Sequence, residues 1–113
     1  MWKWFIAIFI FIALIVLLFN IKGFTGRTTE TPEAVYQCIG EKSIIYTQEG
    51  CIHCIEQEKL FGEGWKYINE FDCTKNEIAC FETGIQGTPT WIIDGKMYSK
   101  VLSIEELRKL TNC

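Results

Sequence analysis

The sequence predicts an α/β domain built on a mixed sheet, in the order β-α-β-α-β-β-α, preceded by a short helix and an N-terminal transmembrane helix. Three observations carry this. Lys3 and Lys22 bracket 18 residues without a charge. Downstream, short β-branched runs alternate with amphipathic stretches of helical spacing. Asp94-Gly95 then stands between two short apolar runs, the strongest short-range hairpin signal. With 113 residues, the chain has room for one small domain.

The elements follow in order. Residues 4–21 would form a helix about 27 Å long, close to the hydrocarbon thickness of a bilayer. Trp2 and Trp4 sit at one end, where interfacial aromatics are favoured. A cleaved signal peptide is the competing reading, but the small-x-small cleavage pattern is missing after the apolar run. Residues 1–24 are therefore expected to be a transmembrane signal-anchor, 25–32 a linker, and 33–113 the folded domain. Lys3 lies before the apolar run and Lys22 and Arg27 after it, so flanking charge leaves orientation close to a tie. Cysteine content decides it. Six Cys in so short a chain fit an oxidising compartment. The expected topology is single-pass in the cell membrane, with the amino terminus cytoplasmic and the Cys-rich domain outside.

Residues 33–40 carry Ala34, Val35, Cys38 and Ile39 at near-helical spacing, with Thr31 as an N-cap and Pro32 at the first helical position. Ile44, Ile45 and Tyr46 mark a buried strand over 43–48. Residues 52–61, with Ile55, Leu60 and Phe61 among charged residues, suit a helix stopped by Gly62 and Gly64. Alternation over 65–72 reads as a second strand. Residues 75–83 read as a short helix with Ile78, Ala79 and Phe81 inward. The hairpin pairs 90–93 with 96–99. Ser103 and Glu106 form a capping box for a last helix, with Leu102, Leu107 and Leu110 as its apolar contacts. A strand-helix-strand unit with so short a connection should be parallel and right-handed.

Charge narrows the function classes. After Arg27 there are eight Lys/Arg against fourteen Asp/Glu, a net of −6. Such a domain is a poor partner for nucleic acid, which needs a basic face. About 80 residues of domain also give only a marginal core without staples.

The chemistry lies in Cys51-Ile52-His53-Cys54, at the junction of the first strand and its helix. A Cys at a helix N-terminus meets partial positive charge, which favours thiolate. The second Cys, one turn on, is placed to resolve a mixed disulfide. His53, when protonated, would also stabilise the Cys51 thiolate, making the disulfide more oxidising. The second signal is Gly87-Thr88-Pro89-Thr90-Trp91, just before the third strand.

With these two motifs the chain resembles the thioredoxin superfamily over roughly residues 43–113. The resemblance implies a thioredoxin-like sheet, a cis Pro89 facing the Cys pair, and Thr88 backbone groups that pair with an extended substrate peptide. A closer likeness adds Lys59-Leu-Phe-Gly62, Cys73, Cys80, the run Gly84-Ile-Gln-Gly-Thr-Pro-Thr-Trp91 and Leu102-Ser-Ile-Glu-Glu-Leu107. These are similar to the thioredoxin-like domain fused to bacterial vitamin K epoxide reductase homologues. That family shuttles disulfides between exported proteins and a quinone-linked membrane oxidase. The likeness therefore implies a membrane-tethered thiol-disulfide oxidoreductase working with a separate oxidase of that type. Two departures stand out. Thioredoxin has a buried acid where this chain has Ile45, and a Trp where it has Gly50. The buried acid of thioredoxin thus has no counterpart at that position, and Glu49 or Glu58 would substitute.

Strand direction, once Pro89 faces the Cys pair, brings the end of the last helix to the pole where the first strand begins. A Cys38–Cys113 disulfide follows. Cys73 and Cys80 are expected to form a second structural bridge, with a redox relay to Cys51–Cys54 as the alternative. Zinc binding by these four cysteines is the competing structural reading; the six residues between Cys73 and Cys80 do not suit a zinc knuckle. Haem attachment would need His where Ile55 stands. No metal or organic cofactor is implied. The readings left open beside the oxidase partner are an extracytoplasmic reductase or isomerase, and a non-catalytic disulfide-rich adaptor.

Overall fold

The computed structural model describes residues 1–21 and 30–113. Lys22, Arg27 and positions 25–29 of the expected linker lie outside the described residues. Helix α1 (Trp2–Ile21) is long and apolar enough to cross a membrane, by length and composition. Helix α2 (Pro32–Lys42) begins one residue inside the expected linker. The Thr31 hydroxyl accepts from the Ala34 N–H at 3.2 Å, and Pro32 lacks an N–H at a position where none is needed.

Four strands follow: β1 (Ser43–Thr47), β2 (Glu70–Asp72), β3 (Thr90–Ile93) and β4 (Lys96–Tyr98). They lie in the order β2-β1-β3-β4. The β1–β2 pair is parallel and crosses over through α3 (Ile52–Phe61); β3 runs antiparallel to β1, and β4 to β3. The turn residues Asp94 and Gly95 have φ of 52° and 74°, the positive values that a two-residue hairpin turn requires.

Strand alternation divides the apolar residues between two faces. Ile45, Trp91 and Ile93 face Val35 and Ile39 of α2, Phe61 of α3, and Leu102 and Leu107 at the last helix, α5 (Ile104–Thr111). The opposite face gathers Tyr46, Cys73 and Cys80, with Ile44, Phe71, Ile85 and Ile92 half-buried around them. One helix, α4 (Glu77–Thr83), packs there. The capping box of α5 is complete: the Ser103 hydroxyl accepts from Glu106 N–H, and the Glu106 carboxylate accepts from Ser103 N–H at 2.8 Å. The Ser103 backbone N–H, with its hydroxyl, holds the Glu106 carboxyl below the usual carboxylate range.

Two expectations are corrected. The strand expected over 65–72 is confined to Glu70–Asp72, and Gly62–Tyr67 is a 3-10 helix. Its side chains serve neighbours rather than a ladder: the Trp65 ring meets Phe61 edge-on at 5.6 Å. The Tyr67 carbonyl sits so close to α2 that a Cβ added to Gly40 would lie 1.9 Å from its oxygen. Residues that alternate on paper are here wound into a tight turn by contact with α2 and α3. The second correction concerns α4. Ile78 and Phe81 were expected inward but are 72% and 84% exposed. Cys80 is the buried residue of this helix, and its bridge to Cys73 fixes the helix's rotation. At about 100° per residue, neighbours two before and one after Cys80 must point away from the sheet.

Candidate active site

The β1 strand delivers the chain to a turn over residues 48–51, closed by the Cys51 N–H donating to Gln48 O at 3.2 Å. Gly50 takes φ of 78°, a conformation that would strain an L side chain. Cys51 is the N-cap of α3, and its Sγ accepts from the Cys54 N–H at 3.1 Å. The sulfur therefore occupies the anion-favouring end of the helix. Cys51 and Cys54 are bridged. Cys54 is buried behind the first turn, whereas Cys51 is half-buried, so the pair presents one approachable sulfur and one shielded sulfur.

The loop before β3 faces this pair. Its Thr88–Pro89 peptide is cis, and the Thr88 carbonyl oxygen lies 3.5 Å from Cys51 Sγ. A bridged sulfur has no proton to donate; the reduced thiol would have one. Pro89 is buried and Thr88 half-buried. The Thr90 hydroxyl donates to Gly87 O at 2.6 Å, tying the loop to the start of β3. His53 is turned to solvent: its side chain is 70% exposed, and Nδ1 lies 3.1 Å from Glu56 Oε2. Any imidazolium charge there is shared with a carboxylate.

Beside the bridge opens a groove of about 410 Å³, reached by Cys54, Glu58, Glu70, Asp72 and Lys75. Glu49 and Glu58, named as substitutes for the absent buried acid, both line it. Sequence reasoning missed Glu70. Its carboxylate accepts from Trp65 Nε1 at 2.7 Å and from the Thr47 hydroxyl at 2.9 Å, and it stands across the ladder from Ile45. The alternation read through 65–72 put Glu70 on a strand face, but nothing local showed that this face opens beside Cys54. Gln57 was also missed. It is wholly buried, and its side chain accepts from Trp91 Nε1 and Leu102 N–H and donates to Leu102 O, all within 2.7–2.9 Å. It locks α3, and with it the Cys pair, to β3 and the start of α5.

The other four cysteines are also bridged, Cys38 to Cys113 and Cys73 to Cys80. The first joins α2, at the end of the domain where β1 begins, to the residue that follows α5. The second joins the end of β2 to α4. Its two residues line a separate groove that reaches Gly87 and Thr88.

A central strand flanked by a parallel neighbour and an antiparallel hairpin, a Cys-x-x-Cys opening the first crossover helix, and a cis-proline across from it decide the fold. The scaffold is thioredoxin-like. No protein-family model matches the chain. A thiol-disulfide oxidoreductase of Arabidopsis thaliana, LTO1, is 38% identical over 82 residues, a match that takes in 65% of this chain and 21% of that protein. The chain thus spans about a fifth of that relative's length. The crystal structure of a mutant of the thioredoxin-like protein BC3987 aligns with a TM-score of 0.46 at 27% identity, over 61% of this chain and 97% of the other.

Proposed function

We propose that this chain is a thiol-disulfide oxidoreductase of the thioredoxin superfamily. In this reading α1 tethers it to the cell membrane, its redox domain faces outward, and it oxidises exported proteins. A quinone-linked membrane oxidase of the vitamin K epoxide reductase type would return it to the disulfide form. The observation that carries the reading is the Cys51 sulfur, held at a helix N-terminus and 3.5 Å from a backbone carbonyl of the cis-proline loop, with Cys54 buried behind it. The named activity of the Arabidopsis relative agrees with it.

Oxidation runs in two exchanges. A client thiolate attacks Cys51 Sγ, the Cys51–Cys54 bond breaks, and Cys54 leaves as a thiolate that takes up a proton. A second client thiolate then attacks the client sulfur of the mixed disulfide and expels Cys51 as a thiolate. The client gains one disulfide, and the Cys pair holds the two electrons until the oxidase removes them. Thr88 and Pro89 present the client strand, with Thr88 backbone groups pairing it. The helix N-terminus stabilises the departing Cys51 thiolate. That favours the dithiol form and makes the bridge oxidising. His53 adds to this charge, moderated by Glu56. The groove shared by Cys54, Glu58 and Glu70 gives water a route by which to deliver the proton that the Cys54 thiolate takes up. Cys38–Cys113 and Cys73–Cys80 act as staples.

The test is a Cys54→Ala trap in the full-length, membrane-bound chain. The expected products are mixed disulfides at Cys51 with exported thiol proteins and with a quinone-linked oxidase, all absent from Cys51→Ala. Capture of nothing would overturn the enzymatic reading in favour of an adaptor. A reduction potential near thioredoxin's, about −270 mV, would reverse the direction to a reductase.

A further inference from the structure

We propose that the Cys73–Cys80 bridge is a second redox site, one that a dithiol opens, and that its opening turns α4 and withdraws the Thr88 loop from Cys51. This rests on the reading of Cys51 as the sulfur that reacts with clients, and it gives the second bridge a task beyond closing its own loop.

The bridge joins a fixed residue to one that is held by little else. Cys73 follows β2, and its N–H donates to Thr47 O at 2.8 Å, at the end of β1. Cys80 is the buried residue of α4, a helix of seven residues. So short a helix is not stable by itself in water and takes its place from tertiary contact. The disulfide supplies that contact.

Two packings compete for α4. In the bridged form Cys80 packs against Tyr46, while Ile78 and Phe81 stand 72% and 84% exposed. Around Tyr46, the side chains of Ile44, Phe71 and Ile92 are only half-buried, so this face of the sheet has apolar surface left to cover. At about 100° per residue, roughly a third of a revolution brings Ile78 and Phe81 to that surface and carries Cys80 off it. Burial of two large apolar side chains outweighs burial of one thiol, so the unbridged helix favours the turned packing. An element with two packings and a bond that selects one of them is a switch.

A dithiol balances the reaction. One of its thiolates attacks a bridge sulfur, the Cys73–Cys80 bond breaks, and the other Cys leaves as a thiolate. The second thiolate of the reductant then attacks the reductant's own sulfur in the mixed disulfide and expels the remaining Cys. The reductant ends as a disulfide, and its two protons end on Cys73 and Cys80. Both Cys residues line a groove of about 180 Å³, the route of entry. Rotation reaches the active site through the chain itself. Gly84 N–H donates to Phe81 O and Ile85 N–H to Cys80 O, both at 3.0 Å. Residues 85–87 then lead to Thr88, whose carbonyl lies 3.5 Å from Cys51 Sγ. A turned α4 draws this segment with it, and Thr88 no longer pairs a client strand beside Cys51. A dithiol too small to pair with the loop still reacts at Cys51.

The experiment has two parts, both on the full-length chain in nanodiscs of zwitterionic lipid. In Cys51→Ser with Cys54→Ser, dithiothreitol buffers of graded potential are followed by alkylation of each Cys, read by mass spectrometry, and by near-ultraviolet circular dichroism. Cys73 and Cys80 are expected to become alkylated while Cys38–Cys113 stays bridged and the dichroism of the folded domain persists. Opening of both bridges together, with loss of the fold, makes Cys73–Cys80 a plain staple and overturns the proposal. In Cys73→Ser with Cys80→Ser, kcat/KM is expected to fall at least tenfold for oxidation of a two-Cys peptide and less than twofold for dithiothreitol. Adding Ile78→Ser and Phe81→Ser removes the apolar drive for rotation and restores most of the peptide rate. An unchanged peptide rate, equal losses for the two reductants, no recovery on adding the two serines, or failure of the Cys73→Ser, Cys80→Ser chain to fold each overturns the proposal. Failure of the wild-type chain to oxidise dithiothreitol is a separate outcome; it sinks the redox reading of Cys51 and leaves the alkylation result as the measure of the second bridge.

Discussion

Gln57 shows how one side chain can hold a site in place. It makes three hydrogen bonds at a position with no exposure, to Trp91 and to both backbone groups of Leu102. Gln57→Leu keeps the approximate volume and strands the indole N–H, a backbone N–H and a carbonyl away from water. An orphaned buried group costs about 1–3 kcal/mol, so we expect a loss of roughly 3 kcal/mol or more, read as a lower urea midpoint at unchanged slope. Gln57→Glu should be worse, because its carboxylate would face the Leu102 carbonyl. His53 is a milder case. Its ring lies on the N-terminal turn of α3, with Nδ1 3.1 Å from Glu56 Oε2. His53→Ala is expected to lower the reduction potential of the Cys pair by about 10–30 mV, and Glu56→Gln to raise it, measured against a glutathione buffer; 30 mV corresponds to about 1.4 kcal/mol for two electrons. Equal potentials in all three proteins would remove His53 from the redox chemistry. The Cys-x-x-Cys and the Thr-Pro were legible in the sequence because each is a local motif with a fixed structural setting. Gln57 and Glu70 were not, because the partners that define them lie 34 and 45 residues away for Gln57 and 23 for the Thr47 hydroxyl on Glu70.

Elements were legible wherever their ends carry chemistry. The caps Thr31 and Ser103, the Glu106 box and the Asp94-Gly95 turn all satisfy backbone groups or meet φ requirements that belong to the segment itself. The 3-10 helix over Gly62–Tyr67 carries no such signal. It exists because α2 comes within contact of its backbone at Gly40. Gly40→Ala should therefore act as a probe of this packing. Its Cβ would meet a backbone oxygen, which moves less easily than a side-chain tip, so we expect a destabilisation of about 2–3 kcal/mol, the upper end of overpacking costs. Thermal unfolding followed by circular dichroism would read it; an unchanged midpoint would mean that α2 and the 3-10 helix separate readily. Rotation of α4 is a related case. Helical periodicity alone would place Ile78 and Phe81 against the sheet, and a disulfide overrides that preference.

At the scale of the molecule, one face of the sheet is covered by α2, α3 and α5 and the other by the seven residues of α4. A core so unevenly distributed leans on covalent closure. The Cys38–Cys113 bridge spans a sequence separation of 75, worth about 4.5 kcal/mol in the chain-entropy model, against about 5–15 kcal/mol for a whole domain. Cys38→Ser with Cys113→Ser should lower stability by several kcal/mol while leaving the Cys51 turn, at the far end of β1, able to exchange disulfides at low temperature. Guanidinium denaturation alongside dithiothreitol oxidation would separate the two effects; simultaneous loss would show that the bridge also shapes the site. By itself, the sequence determined the order of elements, the apolar helix at the start, the dithiol at a helix N-terminus and the proline loop that follows, because each is written in residues adjacent along the chain. Only the tertiary structure decided which carboxylate lies beside Cys54, which glutamine anchors the site and which apolar side chains of α4 stay in solvent. Those depend on what packing and a disulfide bring together across distant segments, and local propensity carries no information about that.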